Sequence, residues 1–130
     1  MSHPIMFDDA DPVLRRVREV ALAFPGADEK VSHGRPAFFT TKVFAYYGWS
    51  EKVAEGEWFR HDTALVVLPD ADERLALLDE GAWVPPYLGG AGWVAIDLDA
   101  SNLPRVEEYL DMSFRRTAPV TRVREWDARR

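Results

Sequence analysis

A single stretch decides the fold of this chain: residues 28–49, DEKVSHGRPAFFTTKVFAYYGW. Aromatic and β-branched residues dominate it, and short polar breaks interrupt it at Gly34 and at Thr41-Lys42. Aromatic and β-branched side chains favour strands, and such breaks favour tight turns. We therefore predict two or three short antiparallel strands here, which makes a sheet the base of the fold.

More strands are expected after this stretch. The apolar run 64–68 is typical of a central strand covered on both faces. Residues 93–98 alternate between apolar and polar, which predicts a half-buried strand. The polar segment from Ser50 to Glu57 is interpreted as a loop, and Trp58-Phe59-Arg60 as a candidate start of a further strand.

Helix-capping residues mark the helices. Asp11-Pro12 is a typical helix start, because Asp accepts from the first amides and Pro needs no amide partner. Asp70 with Glu73 forms a capping box. A third start lies at Ser101 or Asn102. These signals predict helices over about 12–24, 70–80 and 102–116.

Together these elements predict an α+β fold in which about three helices pack mainly on one face of an antiparallel sheet. The chain has 130 residues, the size of one ordinary domain. We assign residues 1–119 to that domain and residues 120–130 to a C-terminal tail that contains arginines. Trp126 is the residue expected to anchor the tail to the body.

Composition narrows the function. The net charge is −6, whereas proteins that bind duplex DNA usually carry a basic balance. Cysteine is absent, which excludes disulfides and a cysteine nucleophile. Acidic residues stand near the N-terminus where a signal peptide is apolar, and no apolar run is long enough for a membrane span. We expect a cytoplasmic protein with no membrane partner.

Catalytic and metal-binding motifs are missing from the sequence. His3, His33 and His61 have no further ligand types at metal spacing, so no metal is expected. Residues 89–92 are rich in glycine, but no Lys-Ser/Thr pair follows them as in a phosphate-binding loop. No cofactor is predicted. An enzyme is the least favoured hypothesis, since it requires His33, His61 and Asp97 to converge.

Basic and aromatic residues interleave around the predicted hairpins. Lys42, Phe44 and Tyr46 are expected to share one strand face, because alternate side chains emerge on the same side of a regular strand. Cations beside aromatic rings bind phosphate and stack on bases. The alternative is that the aromatic residues form the core and the cations surround it, which is the more common arrangement in small domains.

Several blocks of the chain, in this order, resemble those of the MmcQ/YjbR-like family. They include residues 24–26 (FPG), 33–39 (HGRPAFF), 42–45 (KVFA), 83–88 (WVPPYL), 92–98 (GWVAIDL) and 113–119 (SFRRTAP). The resemblance covers about residues 12–119. It implies an α+β fold similar to a double-wing arrangement, and family members are usually described as predicted DNA-binding proteins. The resemblance implies no catalytic residues.

Two hypotheses of function are therefore kept. The first is a non-enzymatic binding module with DNA as the candidate partner, bound by His33, Arg35, Lys42, Arg60, Arg115 and Arg116. The second is a domain that binds a small molecule or a protein in an aromatic groove formed by Trp49, Trp58, Trp83 and Tyr87. The sequence does not indicate an oligomeric state.

Overall fold

The computed structural model describes residues 4–129, which form a five-stranded antiparallel sheet and four helices. His3, one of the three histidines considered above, lies outside the described residues. The strands are β1 (Asp28–Ser32), β2 (Arg35–Phe39), β3 (Val43–Ala54), β4 (Glu57–Val67) and β5 (Val94–Asp97). The helices are α1 (Pro12–Ala21), α2 (Ala71–Asp79), α3 (Val106–Thr117) and α4 (Val120–Ala128). The predicted α+β class is confirmed, with one helix more than expected.

The strands follow one another in sequence order across the sheet, and each pairs antiparallel with its neighbours. β3 is much longer than β2, and its last pair with β2 joins Tyr46 to Ala37. Beyond that point, the described pairs of β3 are with β4 alone. The β3–β4 hairpin therefore extends past the body of the sheet with one edge of β3 open.

One face of the sheet carries the main core. Helices α1, α3 and α4 pack there around the rings of Phe24, Phe44, Phe114 and Trp126. The C-terminal end of β4 is buried on both sides, as predicted for the run 64–68: residues 64–67 are fully enclosed. Burying so much aromatic and aliphatic surface is the main stabilising contribution to this layer.

The opposite face has a smaller apolar cluster in place of a helix layer. Val66, Trp93 and Ala95 form its centre, and the segment between α2 and β5 covers it through Trp83 and Leu88. Trp83 pairs with Ala95 as an isolated bridge. Ala95 was expected on a solvated face, but this cover buries it completely. The covering segment continues along the sheet and reaches the candidate site described below.

The helix starts agree with their capping signals. Asp11 accepts a hydrogen bond from the amide of Val13, and Asp70 and Glu73 form the complete capping box. Helical spacing predicts a buried stripe of Ala71, Leu75 and Leu78 in α2; this prediction is wrong, because Leu75 is exposed and Leu77 is the buried residue of that helix. A nine-residue helix with little apolar periodicity leaves its buried face poorly defined by sequence.

Two segments differ from their interpretation. Residues 50–57, predicted as a loop, form the end of β3, a tight turn and the start of β4. Both faces of this hairpin end are largely solvated, so its residues are polar and show no apolar alternation.

The C-terminal segment, for which the sequence shows no firm pattern, forms α4. Its Trp126 stacks on Phe24 with ring centroids 4.3 Å apart.

None of the helices described within residues 4–129 is both long and apolar enough to cross a membrane.

Candidate ligand groove

A groove of about 490 Å³ lies beside the open edge of β3. β2 begins just after the β1–β2 turn, and its pairs with β3 extend only as far as Tyr46. The later residues of β3 pair with β4 alone, and the groove lies along the edge of β3 that is left open. The β1–β2 turn and the first part of β2 contribute Ser32, His33 and Arg35. The remaining lining residues come from the N-terminal segment, the β3–β4 hairpin and the segment before β5: Met6, Tyr46, Trp49, Ser50, Trp58, Tyr87 and Leu88.

Aromatic rings dominate this lining. Trp49 is held in place because its indole Nε1 donates to the carbonyl of Pro86 at 3.1 Å and its ring packs edge-on against Tyr46. Trp58 is 48% exposed and Tyr87 is 88% exposed. Large aromatic rings that are exposed side by side on a soluble domain commonly mark a site that binds a ligand or another protein. The groove thus combines one fixed ring with two rings that face solvent.

Arg35 is the charged residue of the groove, and only 7% of its side chain is exposed. Its Nη1 donates to Oδ1 of Asp62 at 3.3 Å. Its Nη2 is buried and has no hydrogen-bond partner among the described residues. Burial lowers the pKa of this guanidinium, and the hydrogen bond with Asp62 opposes that shift. An arginine nevertheless stays charged at neutral pH, so the groove contains an incompletely paired cation.

The chain makes room for Arg35 at Gly48. A Cβ at position 48 would collide with Nη1 of Arg35, and the φ angle there is +84°. Glycine is the residue that adopts this conformation without strain and leaves the space for a guanidinium. Gly48 also lies between Tyr47 and Trp49, where the register between β3 and β4 shifts. The irregularity in β3 therefore positions both Arg35 and Trp49.

Two non-glycine residues of the described chain have a positive φ angle, and both line the groove. His33 has φ +51° and Tyr87 has φ +71°. His33 stands with Gly34 in the two-residue turn between β1 and β2, where positive φ angles suit the twist of a hairpin. Tyr87 has no such hairpin around it. A strained bulky residue that is also exposed is more common at binding sites than elsewhere.

The structure separates the six residues predicted to bind DNA. His33 and Arg35 line the groove, and Arg60 lies close by, because its Nε donates to the same Oδ1 of Asp62. Lys42 is exposed in the turn at the other end of β2. The remaining two are in the helix layer, on α3: Arg115, which pairs with Asp111 and Asp127, and Arg116, which donates to the carbonyl of Pro69.

Of the four residues predicted to form an aromatic groove, three line it together: Trp49, Trp58 and Tyr87. Trp83 lies earlier in the same segment as Tyr87, and its ring packs at a tilt against His61 with 4.2 Å between centroids. The sequence alone did not indicate Met6, Ser50 or Leu88 as lining residues. A lining set that comes from four separate segments has no local signal in the chain.

His61 and Asp97 also meet, as the enzyme hypothesis requires, but His33 lines the groove instead. Nδ1 of His61 lies 2.8 Å from Asp97 and Nε2 lies 2.9 Å from Glu51. Both ring nitrogens of His61 therefore face carboxylates. Within residues 4–129, no three His, Asp or Glu side chains are arranged to hold a metal ion.

Comparison with known families supports the resemblance noted in the sequence. The family model named YjbR matches residues 22–116, which is most of the chain. The chain belongs to the YjbR family. The match to this family includes β1 to β5 and nearly all of α3, and therefore also most of the groove. No curated protein and no solved structure matches the chain.

Proposed function

We propose that this YjbR-family chain is a non-enzymatic binding module that holds a flat, ring-bearing small molecule in the groove. One observation carries the proposal: Trp49 on β3, Trp58 on β4 and Tyr87 before β5 line the same groove. A ligand ring inserted between them gains stacking contacts and removes apolar surface from water.

The size and lining of the groove support a small ligand. Its volume of about 490 Å³ lies in the range of small-molecule sites, which are mostly apolar with a few polar groups. Arg35 and His33 supply such polar groups here. The net charge of −6 disfavours a long polyanion more than a compact ligand that touches only the groove.

DNA is the second candidate, and the presence of His33 and Arg35 among the rings favours it. Aromatic side chains beside cations are the usual means of binding single-stranded nucleic acid. A duplex is less well matched, because Lys42, Arg115 and Arg116 lie outside the groove and the last two already have partners. Single-stranded DNA, with an unpaired base among the rings, is therefore the form of this proposal.

The proposed module is not an enzyme, and the surroundings of His61 support this part of the proposal. The histidine best placed for proton transfer, His61, has carboxylates at both ring nitrogens, and its ring is covered by Trp83. A general base needs a free nitrogen within reach of substrate. The cytoplasmic location expected from the sequence remains a prediction.

The small-molecule proposal is tested by calorimetric titration with indole and with adenosine, two neutral planar probes. We expect binding to the unmodified protein and a loss of about tenfold in affinity in Trp58→Ala and in Tyr87→Ala, the scale of one lost stacking contact. Phe59→Ala is the matched control, because Phe59 is 54% exposed, adjoins Trp58 and does not line the groove. Binding that Phe59→Ala weakens as much as the groove variants do would contradict the proposal.

The DNA alternative is tested by fluorescence anisotropy with labelled single- and double-stranded DNA at several salt concentrations. Single-stranded binding that falls steeply with salt and is lost in Trp58→Ala supports it. Equal binding of both forms, unaffected by Trp58→Ala, places any DNA contact away from the groove. No binding at low salt eliminates the DNA candidate and leaves the small molecule.

A further inference from the structure

We infer that the groove contains an anion subsite at Arg35, and that its ligand is a flat ring bearing a phosphate or carboxylate group. This inference rests on the proposed function, because it names the chemistry of the ligand for the same groove. It adds a second contact to the stacking contact: a hydrogen-bonded ion pair between the ligand and the Arg35 guanidinium.

The unused donor of Arg35 is the first observation. More than nine-tenths of the Arg35 side chain is buried. Its Nη2 is nevertheless without an acceptor among the described residues. Buried polar groups in folded proteins nearly always have a partner, and an unpaired one inside a cleft indicates a missing acceptor. A guanidinium binds planar carboxylate and phosphate groups through paired N–H donors, so these anions fit best.

The charge balance around Arg35 is the second observation. Arg35 and Arg60 both donate to one oxygen of a single carboxylate, Oδ1 of Asp62. Asp62 is more than half exposed, so solvent weakens its attraction for the buried cation. Two guanidinium groups therefore share one carboxylate oxygen, so Asp62 does not neutralise Arg35 alone; Arg60 and Asp62 themselves line a neighbouring cavity with Asp8 and Asp11.

The position of Arg35 relative to the rings is the third observation. Trp49, Trp58 and Tyr87 line the same groove as Arg35, so one ligand can reach both the stacking surface and the cation. Nη2 itself is enclosed, so the inference requires side chains of the lining to move when the anion binds. Met6, whose amide donates to the carbonyl of Gly34 in the β1–β2 turn, is the flexible lining residue that we expect to move.

Two matched pairs of probes test the inference by calorimetric titration: adenosine with adenosine monophosphate, and indole with indole-3-carboxylate. We expect the anionic member of each pair to bind about tenfold tighter, the ratio expected for one charge-assisted hydrogen bond. Arg35→Met removes the cation and abolishes the preference. Asp62→Asn removes the competing carboxylate and increases it. Arg16→Gln is the control, since Arg16 pairs with Glu19 on the exposed side of α1 and the preference is expected to stay unchanged.

The outcomes separate this inference from the function on which it rests. Binding of the neutral probes with no preference for their anionic partners overturns the anion subsite alone. Failure of all four probes overturns the aromatic groove as well. If Arg35→Met does not fold, Asp62→Asn decides: a preference that stays the same or falls overturns the subsite.

A final comparison identifies the source of a bound phosphate. A short single-stranded oligodeoxyadenylate is titrated beside adenosine monophosphate at two salt concentrations. Tighter binding of the oligonucleotide with a steep salt dependence assigns the subsite to a strand phosphate. Equal or weaker binding assigns it to a free anionic ligand.

Discussion

The guanidinium of Arg35 occupies the space that a side chain at position 48 would fill, and this is possible because Gly48 has no Cβ. This relationship joins a backbone irregularity in β3 to the charge of the groove. Substitution of either residue is therefore expected to change the other, although the two lie on different strands.

Gly48→Ala tests that relationship. The new methyl group meets Arg35 Nη1, and alanine is strained at a φ angle of +84°. We expect a loss of about 1–3 kcal/mol in the free energy of unfolding, measured with urea. Gly56→Ala is the control, because its φ angle is +74° but nothing lies within 4 Å of an added Cβ. Equal losses in the two variants would show that the collision with Arg35 contributes nothing.

Tyr87 is the second position at which backbone strain can be measured. Its φ angle is +71° and its side chain is almost fully exposed, so the ring itself contributes little to folding. We expect Tyr87→Gly to be more stable than Tyr87→Ala by about 1 kcal/mol, because only glycine adopts this conformation freely. Urea unfolding of both variants checks this. A more stable alanine variant would contradict the left-handed conformation of Tyr87.

Trp126 is expected to fix α4 to the rest of the domain. Its ring stacks on Phe24, and its indole Nε1 donates to Asp111 at 2.7 Å. Trp126→Ala should cost about 3–5 kcal/mol of unfolding free energy, as for other buried large rings. Val120→Ala, at an exposed position of the same helix, should change it by less than about 0.5 kcal/mol. Similar values for both variants would show that α4 is not part of the cooperative fold.

Ser113 forms a partly buried hydrogen bond between α3 and Leu68, the residue that follows β4. Its hydroxyl oxygen accepts from the amide of Leu68 at 2.9 Å. Ser113→Ala leaves that amide without a partner and should lower the unfolding free energy by about 1–3 kcal/mol. Hydrogen exchange of the Leu68 amide should accelerate in the same variant. Thr121→Ala, exposed on α4, is the control. An unchanged exchange rate at Leu68 would contradict the assigned hydrogen bond.

The sequence predicts most of this fold because the decisive signals are local. Asp11 and Asp70 mark helix starts within a few residues, and the apolar run 64–68 marks a strand that is buried on both faces. The end of the β3–β4 hairpin escaped prediction because a solvated strand carries no apolar pattern. Helix α4 was missed because Trp126 is its one buried residue within the described part of the chain.

The candidate site was predictable only in part. Trp49, Trp58 and Tyr87 attract attention as aromatic residues in polar or proline-rich surroundings, and the structure brings them together. Which cations join them depends on strand lengths: β2 begins at Arg35, so Arg35 lies at the groove while Lys42 lies at the opposite end of that strand. The separation of Arg35 from Lys42 depends on the tertiary structure and cannot be predicted from the spacing of residues in the sequence.

We propose that a ring-bearing ligand enters the groove between Trp49 and Trp58. The most direct measurement follows the indole N–H signals of the five tryptophans by two-dimensional NMR during titration with adenosine monophosphate. We predict that the signals of Trp49 and Trp58 move together and saturate, while that of Trp126, bonded to Asp111 on the opposite face, stays in place. Movement of the Trp126 signal with Trp49 and Trp58 unchanged would contradict the account.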